Sequence, residues 1–152
     1  MKILVTGGAG FVGHHLVNRL LQLGEEITII DNLSNGKKEH LDKWSNRVSF
    51  YAEDIRNKET IIDIIKRERI GACIHLAAKT SVAESMRNPE EFIDVNVRGT
   101  FNVLEGCSRN DVKSFVFASS AAVYGDPLFL PVPEDHVLNP RSPYGASKVA
   151  GE

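Results

Sequence analysis

The stretch KILVTGGAGFVG, residues 2–13, decides how this chain is read. Lys2 to Thr6 is a short apolar run stopped by glycines, and from Phe11 to Leu23 apolar residues return at Val12, Leu16, Leu20 and Leu23, the spacing of one helix face. The stretch therefore reads as strand, tight loop, helix. Working outward, the alternation continues. Ile27 to Ile30 and Val48 to Tyr51 read as strands, Lys58 to Arg69 as a helix with Ile61, Ile62, Ile64 and Ile65 inward, and Ala72 to Leu76 as a fourth strand. Asn88 and Pro89 offer an N-cap and a first-turn proline for a long helix through Phe92, Val95, Val103 and Leu104, and Ser114 to Ala118 follows as a fifth strand. Prolines at 127, 131, 133 and 140 mark Ser119 to Pro140 as loop. Ser142 and Pro143 repeat the cap-and-proline signal, opening a helix with Tyr144 and Lys148 on one face.

Strands and helices in alternation bury themselves as a parallel sheet covered on both faces, with right-handed crossovers. The expected fold is α/β, a doubly wound parallel sheet of the Rossmann-like kind, truncated after the fifth strand. In that architecture a ligand lies at the carboxyl ends of the strands, and a helix and a sixth strand follow the fifth. Here ten residues follow from Pro143 onward. That is fewer than the roughly 12–15 at which even an isolated helix is marginal, so packing must hold this one. The fifth strand, SFVFA, is expected to be a sheet edge.

At 152 residues, 42% hydrophobic and 25% charged, the chain is sized for one domain, 1–152. The net charge of −2 leaves no basic stripe, which argues against nucleic acid or an anionic membrane as the main partner. No apolar run approaches the roughly 20 residues that span a bilayer, and the N-terminus lacks the pattern of a signal peptide, so a cytoplasmic protein is expected. Cys73 and Cys107 lie in apolar segments without CxxC spacing and read as reduced core thiols, with no metal site.

The candidate ligand residues follow the strands. Gly7, Gly10 and Gly13 form GxxGxxG, and Gly8, Gly10 and Gly13 also satisfy GxGxxG; a pyrophosphate needs bare backbone N–H groups above a helix N-terminus, which side chains here would block. Asp31 ends the second strand, where a carboxylate accepts from ribose hydroxyls and repels a 2′-phosphate, pointing to NAD rather than NADP; alone, it could equally form a turn before NLSNG. Asp54 either accepts from an adenine amino group or is simply solvated. Asn96, polar on a mostly apolar helix, either bonds locally or reaches the site. Tyr144 and Lys148 form YxxxK. A phenol is a poor base near neutral pH, but a neighbouring ammonium and a cationic nicotinamide both favour its ionised form. Ser119 and Ser120 end the fifth strand, where a hydroxyl could orient a substrate oxygen or merely cap.

Taken in order, TGGAGFVG, DNLS, HLAA, NVRGT, SSAAVYGD and SPYGASK resemble the extended short-chain dehydrogenase/reductases, in particular the nucleotide-sugar 4-epimerases, from Lys2 to Glu152. The resemblance implies an NAD-binding domain. Gly7, Gly10, Phe11, Val12 and Gly13 would meet the pyrophosphate, Asp31 and Asn32 the adenosine ribose, and Asp54 and Ile55 the adenine. Leu76, Ala77 and Ala78 would line the cofactor's edge and Asn96 its nicotinamide side. Ser120 would orient the sugar hydroxyl, Tyr144 act as base and Lys148 hold the nicotinamide ribose. The reaction implied is transient oxidation at C4 of a UDP-hexose. Related 4,6-dehydratases carry an Asp-Glu pair after the active-site hydroxyl, where this chain has Ala121 and Ala122, so dehydration is disfavoured. A reductase, or a non-catalytic NAD-binding module, shares the remaining residues. Lys79 departs from the neutral residue usual in relatives and is expected to be exposed rather than aimed at a substrate phosphate. The resemblance also implies a second half of similar length with the substrate domain. Without it the chain is expected to be inactive alone, and its homodimer, built on the long helix and the one opening at Ser142, weakened.

Overall fold

The computed structural model describes residues 1–44 and 46–152. Five parallel strands, β1 (Lys2–Thr6), β2 (Glu26–Ile30), β3 (Val48–Tyr51), β4 (Ala72–His75) and β5 (Ser114–Phe117), form one sheet in the order β3-β2-β1-β4-β5. The order reverses at β1, so β1 and β4 flank the switch point at which such sheets bind ligands. β5 is an edge strand, as its sequence suggests, with Val116 exposed.

Alternation along the strands splits the core into two. Ile3, Val5, Ile27 and Ile29 face α1 (Phe11–Gln22) and α2 (Glu39–Asp42), which add Val17, Leu21 and Leu41. Leu4, Ile30 and Cys73 face α3 (Lys58–Glu68) and α6 (Thr100–Arg109), which add Ile61, Ile64, Ile65, Val103 and Cys107. Ile62 is buried too, so all four isoleucines expected inward on α3 are inward. Both cysteines are free and buried. Among the described residues no helix is long and apolar enough to cross a membrane.

Three local readings are corrected. The buried face of α1 is Gly13, Val17 and Leu21, while Val12 and Leu23 are exposed. The helix is rolled because its first turn lies directly on the glycine loop: a Cβ on Gly13 would stand 2.1 Å from the Gly7 carbonyl oxygen. The long helix is composite: α5 (Pro89–Phe92), a π-helical segment at Ile93–Gly99, then α6, with Leu104 exposed. Its expected cap does not form, since the Asn88 side-chain amide donates to Glu91 (2.9 Å); the cap lies earlier, where Ser81 accepts from Glu84 N–H (3.1 Å) and opens α4 (Val82–Arg87). Within the expected loop after β5, Ala121–Val123 makes a 3₁₀ turn. α7 (Pro143–Val149) opens as expected on Ser142, whose hydroxyl accepts from Gly145 N–H (3.0 Å), and it packs on α4, α5 and the π segment.

Candidate cofactor-binding site

Each proposed ligand residue stands at or just beyond the carboxyl end of a strand, in the first turn of α1, or on α7 and the π segment beside them. The glycine loop between β1 and α1 turns at Gly7, whose φ of +71° and contact with the Ala77 backbone (a Cβ would lie 2.8 Å from Ala77 N) exclude other residues. Gly8 is held against Ile29 and Gly13 against the loop itself. Gly10 differs. Its φ is −72°, and an added Cβ would meet only the Gly7 carbonyl oxygen, at 3.2 Å. Gly7, Gly8 and Gly13 are held by close approach, and Gly10 is the least crowded of the four, though a side chain there would still press on the Gly7 carbonyl. Gly10 also starts α1 without a side-chain cap, and the first amides of a helix have no partner within it. Phe11 and Val12, 77% and 63% exposed, stand beside this opening.

Asp31 is buried and already tied to the loop, accepting from Ala9 N–H (2.9 Å) and Leu33 N–H (2.8 Å). One bond at each oxygen leaves further acceptor capacity for a ribose. Asp54 is more fully engaged. Oδ1 accepts from the Arg56 backbone N–H (2.9 Å) and Nε (3.0 Å), and Oδ2 from Arg56 Nη2 (2.8 Å) and the Asn32 amide (2.9 Å). The bonded Arg56 guanidinium holds this carboxyl down at about 2, so Asp54 is a fixed anion, and an adenine amino group would have to displace a present donor. Ile55 is buried against Gly99, while Leu76, Ala77 and Ala78 are half-buried above β4.

Asn96, 1% exposed, spends its side-chain amide on partners from two other parts of the chain. Its amide donates to the Lys79 carbonyl (2.9 Å) and the Ser147 hydroxyl (2.9 Å) and accepts from Lys79 N–H (2.8 Å), clamping the β4 loop to α7. Lys79 is neither exposed nor aimed at a free anion. Its ammonium lies 2.7 Å from both Glu84 and Glu91, a correction whose cause is the acidic helix pair α4 and α5 folding over it.

The side chains proposed for chemistry lie together at the end of β5. Ser120 caps the 3₁₀ turn, accepting from Ala122 N–H (3.2 Å), and among the described residues its hydroxyl proton has no acceptor; Ser119 is taken by Glu152. Tyr144 is nearly buried, its ring edge-to-face with Phe92 at 6.3 Å, and among the described residues its hydroxyl has no hydrogen-bond partner. Lys148, 4% exposed, donates to the Ala118 carbonyl (2.9 Å), and burial pulls its pKa down to about 8, which leaves it charged at neutral pH with two N–H bonds unspent.

Sequence reading assigned no role to His75, which turns out to organise the floor of the site. Thr100 Oγ1 gives its one proton to the Asn96 carbonyl (2.6 Å), so it must accept from His75 Nε2 (2.9 Å). Nδ1 of the neutral ring then accepts from Thr6 Oγ1 (2.7 Å), which itself accepts from Ala77 N–H (3.2 Å). This chain joins the cofactor-edge loop to the π segment. Burial, and secondarily the charge of Lys148, hold the His75 pKa at about 3. The only signal in the sequence was a polar residue closing an apolar strand.

Sheet order, glycine loop and carboxyl-end cluster together define a doubly wound α/β domain of the dinucleotide-binding architecture. The profile of the family described as GDP-mannose 4,6 dehydratase matches residues 4–152, and the chain belongs to that family. A UDP-glucose 4-epimerase of Halalkalibacterium halodurans is 42% identical over 100% of this chain and 44% of its own length. The UDP-Glc/GlcNAc 4-epimerase structure from Campylobacter jejuni superposes with a TM-score of 0.95 at 38% identity, over 99% of this chain and 46% of that one. The Thermus thermophilus UDP-glucose 4-epimerase in complex with NAD gives 0.93 at 40%, over 99% and 48%. The chain spans just under half the length of these relatives.

Proposed function

We propose that this chain is the cofactor-binding part of an NAD-dependent nucleotide-sugar 4-epimerase acting on UDP-hexoses. The observation that carries the reading is the opening at the head of α1, where among the described residues the N–H groups of residues 11–13 have no partner, beside Gly10, the least crowded loop glycine, and an anchored Asp31 with acceptor capacity to spare. The relatives support the substrate class and the cofactor. When bound, NAD supplies a reversible hydride acceptor for C4 of the hexose. Within the chain, the amides of residues 11–13 hold the diphosphate, the Gly10 N–H being spent on the Gly7 carbonyl (3.1 Å), and Asp31 turns its remaining lone pairs to the ribose hydroxyls. Lys148 directs its two free N–H bonds at the second ribose, Ser120 donates to the sugar oxygen, and the unpartnered Tyr144 hydroxyl takes up and returns the sugar's proton. Ala121 and Ala122 carry no ionisable group to move protons at C5 or C6, which favours epimerisation over the dehydration in the family's description. Ile93, Phe101 and Leu104, exposed along the composite helix, form the face on which a second copy pairs. At the level this chain carries, the reading is tested by calorimetry with NAD on the wild-type chain and on Gly10→Val: binding by the first and not the second supports it, and equal behaviour of the two refutes it.

A further inference from the structure

Lys148 is a buried cation for which no carboxylate supplies a counter-charge among the described ion pairs. Among the described residues its one hydrogen bond goes to a neutral carbonyl, Ala118 O. A desolvated ammonium with so little support needs another source of negative potential, and the structure offers the face of an aromatic ring: Nζ stands 4.9 Å from the centroid of Phe117. That ring is gripped from two further directions. The His75 imidazole stacks on it at 6.0 Å with the planes inclined by 21°. Gly151 closes over its rim, where a Cβ would stand 2.4 Å from Phe117 Cζ. Because His75 is neutral, it does not compete as a second cation for the same π face. Tyr144 lies on the same helix and Glu152 just beyond it, its carboxylate occupied by Ser119; on the elements packed against α7, Glu84 and Glu91 are paired with Lys79, Asp94 with Arg56 and Arg98, and Arg87 and Glu90 are further charged groups, none of which is in ion-pair contact with Lys148 among the described residues.

We propose that Phe117 is the positioning residue for Lys148: the face of its ring, pinned between His75 and Gly151, carries the buried ammonium and, with Ala118, fixes where its two remaining N–H bonds point. The proposal rests on reading Lys148 as the ribose-holding group. It makes the end of β5 part of the site rather than only part of the core, and it explains why a glycine follows Lys148 by three residues: any side chain there would push the ring off the ammonium.

The test follows the Lys148 ammonium by carbon and nitrogen NMR on labelled chain, assigned through Lys148→Met and titrated without cofactor. A failure of NAD binding therefore leaves the result readable, and the two readings can fail separately. Removing the ring in Phe117→Leu is expected to lower the Lys148 midpoint by about one pH unit, while Phe117→Tyr retains it. Gly151→Ala, which deletes nothing and only displaces the ring, moves the midpoint in the same direction and decides the matter if Phe117→Leu does not fold. Phe115→Leu serves as control: Phe115 also lies against His75, at 5.9 Å, but does not carry Lys148, and its loss leaves the midpoint in place. An unchanged or raised midpoint in the Phe117→Leu and Gly151→Ala chains, or an equal shift in Phe115→Leu, overturns the proposal.

Discussion

His75 makes the stability of this domain steeply dependent on pH in a range where a solvent-exposed histidine would contribute nothing. Its pKa of about 3 in the folded chain lies below the 6.5 of an ordinary histidine. The unfolded chain therefore binds the extra proton between those two values, and stability falls as pH drops below 6.5. Between pH 7 and pH 4 the loss from this one group is about 3 kcal/mol, at 1.36 kcal/mol for each unit below 6.5. Against a total of roughly 5–15 kcal/mol for a domain, that is between about a fifth and three-fifths of the stability, lost through one group. Asp54, held at about 2 against an ordinary 3.8, contributes stability that is lost only as pH falls further, so it does not blur this window. The assay is urea unfolding at pH 4.5 to 8, read from the fluorescence of Trp44, the single tryptophan and a buried one. His75→Gln is expected to be less stable at pH 7 but to lose most of the dependence below 6.5. The ring nitrogens should keep the pattern of a neutral imidazole protonated at Nε2 down to pH 5. A His75 that titrates near 6.5, or a His75→Gln chain with an unchanged slope, would refute both the proton chain through Thr6 and Thr100 and the magnitude drawn from it.

Two other outcomes are expected. Lys148→Met should stabilise the chain at pH 7 by about 2 kcal/mol: the buried ammonium, at about 8 against an ordinary 10.5, costs about 3 kcal/mol, and the lost bond to Ala118 offsets about 1. Because the unfolded chain holds more of this proton between pH 8 and 10.5, wild-type stability should rise across that window and the variant's should not, which urea midpoints at pH 7, 9 and 10 would check. Pairing through Ile93, Phe101 and Leu104 should appear as a weak, concentration-dependent dimer in sedimentation, abolished by Phe101→Glu; a monomer at all concentrations would count against that face.

What could be read from the sequence was what short-range pattern encodes. The glycine spacing, the run of isoleucines in α3, and Ser142 before Pro143 each act within a few residues, and each stands where the pattern put it. The roll of α1 escaped because hydrophobic periodicity gives no weight to glycine, whereas Gly13 is the residue that approaches the loop most closely. Partnerships across long separations were also out of reach. Lys79 looked exposed because its partner Glu91 arrives only when α5 folds over it, and the Asn96 bond to Ser147 spans 51 residues. A π-helical segment has no composition of its own, so the composite helix read as one regular helix. The catalytic candidates were visible as residue types, but not the phenyl rings of Phe92 and Phe117 on which Tyr144 and Lys148 sit.

The claim beneath all of this is that the opening above Gly10 holds the diphosphate of NAD. Titrating NAD into the chain, with the amide resonances of residues 7–13 followed by NMR alongside the heat of binding, tests it most directly. The account predicts a saturable one-to-one heat, shifts concentrated at those amides and at Asp31, and loss of both in a Gly10→Val chain that remains folded. No saturable heat, or binding that leaves the glycine loop unmoved and survives Gly10→Val, would contradict it.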